Sequence, residues 1–127
     1  MNLLLDTSIF LWYISNDDRL PKKFLKEIQN KNNDVYLSVI SIWERLIKKQ
    51  INIIDLPEPT AEYLIKQREL HQINPLQFDE KSIKYLMELP FIHKDPFSRI
   101  LICPAKSNNL IFVTTDPIIK KYPVKIL

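Results

Sequence analysis

Apolar residues in this chain fall into two patterns. Short, mainly apolar runs occur near residues 2–5, 35–37, 73–78, 110–115 and 124–127. A strand covered on both faces needs no polar alternation, so these runs read as buried strands. Between them apolar positions recur every three or four residues, which predicts helices over 9–15, 21–30, 38–50, 60–71, 79–90 and 95–107. In the second helix Phe24, Leu25 and Ile28 share a face opposite lysines. In the third, Val39, Trp43, Leu46 and Ile47 follow helical spacing behind Ser38, a predicted N-cap. Thr60 caps the fourth by the same rule, and Asp79 the fifth, with Ile83, Leu86 and Met87 turned inward. Pro75 makes the third strand an edge or a bent one. Asp95-Pro96 reads as an N-cap followed by proline at the first helical position, and Pro104 should kink or shorten the helix it opens. Strand and helix in alternation predict one α/β domain over residues 1–127, with a mostly parallel sheet of about five strands.

Composition narrows the chemistry. The 127 residues contain no glycine, which removes the glycine-dependent phosphate loops of dinucleotide- and ATP-binding proteins. Positions of positive φ should then fall to asparagine, with Asn32-Asn33 and Asn108-Asn109 placed where turns are wanted. Two histidines and one cysteine, Cys103, argue against a zinc site and against an internal disulfide. No apolar run approaches the roughly 20 residues of a membrane helix, and the N-terminus lacks the flanks of a signal peptide, so the cytoplasm is the expected compartment. A net charge of +3 is compatible with an anionic partner without specifying one.

Four acids stand at element ends or on helices. Asp6 closes the first apolar run and Asp116 follows the strongly β-prone run before it. Glu44 lies at the edge of the apolar stripe of the third helix, and Asp95 opens the last one. Each alone has a structural reading as a cap. Together they would meet at the carboxyl edge of a parallel sheet, where ligands bind. Close carboxylate pairs repel by about 4 kcal/mol at an effective dielectric near 20, which a bound cation or proton uptake offsets. All-oxygen ligation favours Mg²⁺ or Mn²⁺.

The segments Leu4-Leu5-Asp6-Thr7-Ser8, Ser38-Val39-Ile40-Ser41-Ile42-Trp43-Glu44, His93-Lys94-Asp95-Pro96-Phe97-Ser98-Arg99-Ile100-Leu101-Ile102 and Phe112-Val113-Thr114-Thr115-Asp116 resemble, in order, the PIN-domain ribonucleases, and among them the VapC-type toxins of bacterial toxin–antitoxin pairs. The resemblance implies a three-layer α/β/α domain and Mg²⁺- or Mn²⁺-dependent RNA cleavage. It also implies a homodimer neutralised by a small antitoxin, with DNA reached only through that antitoxin. Asp6, Glu44 and Asp116 match the family's acids. Ser98 departs, because an aspartate usually stands there as a metal ligand; Asp95, three residues earlier, is expected to substitute for it in part. Cys103-Pro104 is a second departure.

These residues define an expected site. Asp6, Glu44, Asp95 and Asp116 hold the metal and carry the chemistry, with metal-bound water attacking a phosphodiester. Thr7 and Thr115 fix the carboxylates from behind, Ser98 sits beside them, and Arg99 grips the RNA backbone. Trp12, Trp43 and Phe97 are expected in the core. The competing expectation is a degenerate PIN domain that binds its antitoxin and, for want of an acid at Ser98, cuts nothing.

Overall fold

The computed structural model describes all 127 residues. Strand β1 (Asn2–Leu5) leads into α1 (Thr7–Ile14) and α2 (Lys22–Gln29), then β2 (Asp34–Ser38), α3 (Val39–Gln50) and α4 (Thr60–Leu70). The edge strand β3 (Asn74–Leu76) follows, then one turn of helix, α5 (Glu80–Ile83), running on as a 3₁₀ helix over Lys84–Glu88. The chain closes with α6 (Pro96–Ser107), β4 (Ile111–Val113) and a 3₁₀ turn at Ile119–Lys121. The sheet has four strands in the order β3-β2-β1-β4, every pair parallel. An isolated parallel bridge from Phe112 to Ile126 extends it where the last apolar run was expected to add a strand.

The pleat of β1 divides the core. Leu3 and Leu5 point into one apolar cluster with Ile9, Phe10, Phe24 and Leu64, while Leu4 points into the other with Leu101, Ile102 and Phe112. Helices α1, α2 and α4 thus cover one face and α6 the other, giving the three-layer α/β/α arrangement. All three leucines are fully buried, each such side chain stabilising the fold by about 1.5–3 kcal/mol. Because both faces are covered, β1 reads as a continuous apolar run.

A chain without glycine must close its helices another way. Positive φ occurs at Asn16, Asn52, Gln72 and Asn109, each just beyond the C-cap of α1, α3, α4 or α6. In each case the next amide reaches back to a carbonyl of the last turn, as Asp17 N does to Trp12 O at 2.9 Å and Leu110 N to Ala105 O at 2.8 Å. This is the left-handed helix stop that glycine usually fills. Asparagine takes three of these four positions; Asn32 and Asn33 are not among them.

Asp6 does serve as the cap of α1, its Oδ1 accepting from Thr7 N at 2.8 Å. Other local expectations are corrected. Pro59 stands at the N-cap of α4, and the buried hydroxyl of Thr60 has no partner. Met87 is 91% exposed, because the three-residue turn of the 3₁₀ helix puts Leu86 and Leu89 on one face and turns Met87 away; Ile83, at the end of α5, is also outside. Helix α6 is not cut at Pro104: it runs to Ser107, and both the amide and the side chain of Asn108 donate to Pro104 O at 2.9 Å. No helix is long and apolar enough to cross a membrane.

Candidate active site

The strand order places the site. From β1 the chain winds through β2 to β3 on one side, then returns to add β4 on the other. The reversal falls between β1 and β4, and a crevice opens beyond their carboxyl ends. Asp6 follows β1 there and Asp116 lies just past β4. Helix α3 starts from the end of β2 and α6 starts nearby, bringing Glu44, Asp95 and Ser98 to the same place. All five line one pocket of about 190 Å³, together with Thr7, Arg45, Lys48, His93 and Phe97. A larger depression of about 560 Å³ on α2 is lined by Lys22, Leu25, Lys26, Gln29 and Asn30 and gathers no acid.

Each acid has partners. Asp6 receives the hydroxyl of Thr114 on Oδ2 at 2.6 Å and Thr7 N on Oδ1 at 2.8 Å. Glu44, only 4% exposed, forms an ion pair with Lys48 at 3.0 Å through Oε2 and accepts from the Thr7 hydroxyl at 3.2 Å through Oε1. The Thr7 hydroxyl also lies 2.8 Å from Ser41 Oγ. Asp116 faces His93 Nε2 at 3.0 Å and accepts from Ile118 N at 2.8 Å. Asp95 caps α6 by accepting from Phe97 N at 3.0 Å.

The Asp6 carboxyl is pushed above the usual carboxylate range, and burial is the main cause. The Thr114 and Thr7 hydrogen bonds pull it back, while the charges of Asp116 and Glu44 add to the push. The acids therefore sense one another across the pocket. They are not drawn into a ligand cage, for no group of three or more His, Cys, Asp or Glu side chains stands at metal-holding distance. The donor types suit a hard divalent cation; Lys48 and His93 engage Glu44 and Asp116.

His93 has a defined tautomer. Its Nδ1 accepts from Asp95 N at 3.1 Å, so the ring proton lies on Nε2 and is donated to Asp116. The loop carrying it is pinned by the buried Tyr122, whose hydroxyl oxygen accepts from His93 N at 2.8 Å and Ile92 N at 3.3 Å.

The structure brings Asp6, Thr7, Glu44, Asp95, Ser98 and Asp116 together. It does not bring Thr115 or Arg99. Thr115 is exposed, and the preceding Thr114, fully buried, bridges Asp6 and the Asp116 amide, which donates to its hydroxyl at 3.0 Å. The signal for this was present in Thr114-Thr115-Asp116, since a hydroxyl two residues before an aspartate amide makes a Ser/Thr turn. The Arg99 guanidinium lies 4.3 Å from the Phe91 ring centroid and does not line the pocket. Arg45 and Lys48, one helical turn apart at most on α3, are the cations that do. Trp43 is likewise misplaced by its spacing: it is 53% exposed, because α3 turns Ser41 and Glu44 inward.

An open parallel α/β sheet with carboxylates gathered at its switch point defines the class: a doubly wound α/β domain with an acidic site at the strand ends. The PIN domain model matches residues 3–125, and the chain belongs to that family. Among solved structures it is similar to a chain of VapBC2 from Rickettsia felis bound to a DNA fragment from their promoter, with TM-score 0.73, 20% identity, and coverage of 100% of this chain and 97% of that one. It is also similar to a chain of VapBC-1 from nontypeable Haemophilus influenzae, with TM-score 0.64, 19% identity and coverage of 91% and 87%. No curated protein sequence matches it.

Proposed function

We propose that this chain is a divalent-metal-dependent endoribonuclease, the toxin of a toxin–antitoxin pair acting in the cytoplasm. The observation that carries this reading is the convergence of Asp6, Glu44, Asp95 and Asp116 on one pocket at the switch point of a PIN domain. Asp6, Glu44 and Asp116 would hold Mg²⁺ or Mn²⁺, with Asp95 in support. Such an ion supplies an activated water and offsets charge on the phosphate. The chain's own part is positional. Thr114 orients Asp6, His93 orients Asp116, and Thr7 with Ser41 orients Glu44. Lys48, paired with Glu44 Oε2, would compete with such an ion for that carboxylate. The VapBC likeness supports an antitoxin partner and DNA contact made through that partner; the homodimer is proposed on the family resemblance alone.

One observation favours a second reading. Ser98 is buried on the pocket wall where the family usually has an aspartate, and a domain short of that charge could bind its antitoxin without cutting RNA. The test is cleavage of a mixed RNA panel in Mg²⁺ and in Mn²⁺ by the native chain, Asp6→Asn and Ser98→Asp. Cutting by the native chain that Asp6→Asn abolishes supports the nuclease. Cutting by Ser98→Asp alone supports the degenerate domain, and cutting by neither variant nor native chain overturns the nuclease reading.

A further inference from the structure

Trp43 and Phe97 stand together at the rim of the acidic pocket. Their ring centroids are 5.8 Å apart with planes inclined at 59°. Phe97 lines the pocket itself, and Trp43 precedes Glu44 on α3, about 100° around the helix from it. Spacing assigns Trp43 to the core, yet 53% of it is exposed. An inclined pair does not cover either ring face completely, and about half of Trp43 is left open to solvent.

We propose that this aromatic ledge is a stacking platform for one base of single-stranded RNA, beside the phosphate held over the acids. The proposal rests on the nuclease reading for the identity of the strand. Three features select a nucleic-acid base over another apolar occupant. The ledge is continuous with the acidic pocket through Phe97. Arg45 and Lys48 line that pocket; Lys48 is paired with Glu44, so Arg45, whose Nε is buried with no partner, is the cation left there for a backbone phosphate. A flat π surface beside cations is the combination that single-strand binders use, because every base has a face to stack. A duplex offers no such face, since its bases already stack on one another.

The test is a fluorescence titration of the full chain with single-stranded RNA octamers, run once with EDTA and once with Mg²⁺. The chain has two tryptophans, so Trp12→Phe isolates the Trp43 signal; Trp12 packs against the core beyond the site. Single-stranded RNA should quench Trp43 emission and the matching duplex should not. Trp43→Leu should weaken binding by about tenfold or more, the range for loss of one stacked base, while Trp43→Phe should retain most of it and Phe97→Leu should weaken it less. Unchanged affinity in Trp43→Leu overturns the ledge, as does absence of binding in both buffers. A shift of Trp43→Leu from dimer to monomer in sedimentation, with RNA affinity unchanged, would assign the rings to a second copy of the chain and also overturn it. RNA that binds through Trp43 but is never cut leaves the ledge standing and removes the nuclease.

Discussion

Replacing Thr114 with valine removes one hydroxyl and little volume from a fully buried position, so packing changes little and hydrogen bonding changes at two places. Asp6 Oδ2 loses a donor at 2.6 Å, and the Asp116 amide loses its acceptor at 3.0 Å. A hydrogen bond to a charged group is worth about 1.5–3 kcal/mol and a neutral one about 1 kcal/mol. Water can reach the part-buried Asp116 amide, so the expected loss at pH 7 is about 2–3 kcal/mol. In urea melts followed by circular dichroism, the midpoint should fall by about 1–2 M, and the thermal midpoint on the order of 10 °C. The hydroxyl also holds the Asp6 carboxyl down against burial, so its loss should raise that group further and weaken any Mn²⁺ binding seen by calorimetry. A double-mutant cycle with Asp6→Asn isolates the pair. The valine change should cost clearly less in the Asn background, with a coupling above about 0.5 kcal/mol. Equal losses in both backgrounds would refute the reasoning and leave Thr114 as a packing residue only.

The remaining predictions concern the acids and their partners. Asp6 has a raised folded-state value, so its contribution to stability is complete below the unfolded carboxyl value of 3.8 and is lost as pH rises through the folded one. Asp6→Asn should therefore unfold at higher urea than the native chain at pH 7, and the gain should vanish near pH 3. Mn²⁺ should raise the melting temperature of the native chain and leave Asp6→Asn unmoved. Ser98→Asp should lower stability without metal, by adding a buried like charge, and raise Mn²⁺ affinity in calorimetry; unchanged affinity would place position 98 outside the ligand set. His93→Ala should weaken Mn²⁺ binding and slow cleavage more than His93→Gln, whose amide can still donate to Asp116. In the native chain, ¹⁵N spectra should show the proton on His93 Nε2, and an Nδ1–H tautomer would contradict the clamp.

The fold was legible because it rests on burial pattern. β1 is buried on both faces and is apolar throughout, and α2 carries Phe24 and Ile28 on its inner side, so period alone places them. Reading failed where another constraint overrode period. In α3 the apolar positions Val39, Trp43, Leu46 and Ile47 predict an inner face, yet the buried side chains are Ser41 and Glu44. The helix begins at the end of β2 with Ser38 as its cap, and that entry angle commits its first turns to the crevice. Polar residues then face inward, and the displaced tryptophan faces out. The segment after α5 failed for a different reason: 3₁₀ geometry has a period of three residues, so an inner face predicted at 3.6 misplaces Met87.

The acids and Thr7 were legible, whereas Thr114, Lys48 and His93 as their partners were not, and the difference is physical. A carboxylate after an apolar run is conspicuous in sequence because only a special environment tolerates it there. A threonine or lysine serving that carboxylate looks like any surface residue until the chain folds. Asp6 and Thr114 are 108 residues apart and meet only because β1 and β4 are neighbours. Glu44 and Lys48 are one helical turn apart, a spacing that on its own reads as surface pairing worth about 0.3–0.5 kcal/mol. Here the glutamate is buried, so Lys48 offsets a charge the pocket would otherwise hold alone. Thr114, Lys48 and His93 thus each engage one of the acids that line the pocket. An entering ion has to compete with Lys48 for Glu44 and gains less than four bare carboxylates would give. Lys48→Met, which keeps the aliphatic stem and removes the charge, should consequently tighten Mn²⁺ binding measured by calorimetry while lowering stability in EDTA; unchanged or weaker Mn²⁺ binding would refute the competition between Lys48 and the ion for Glu44.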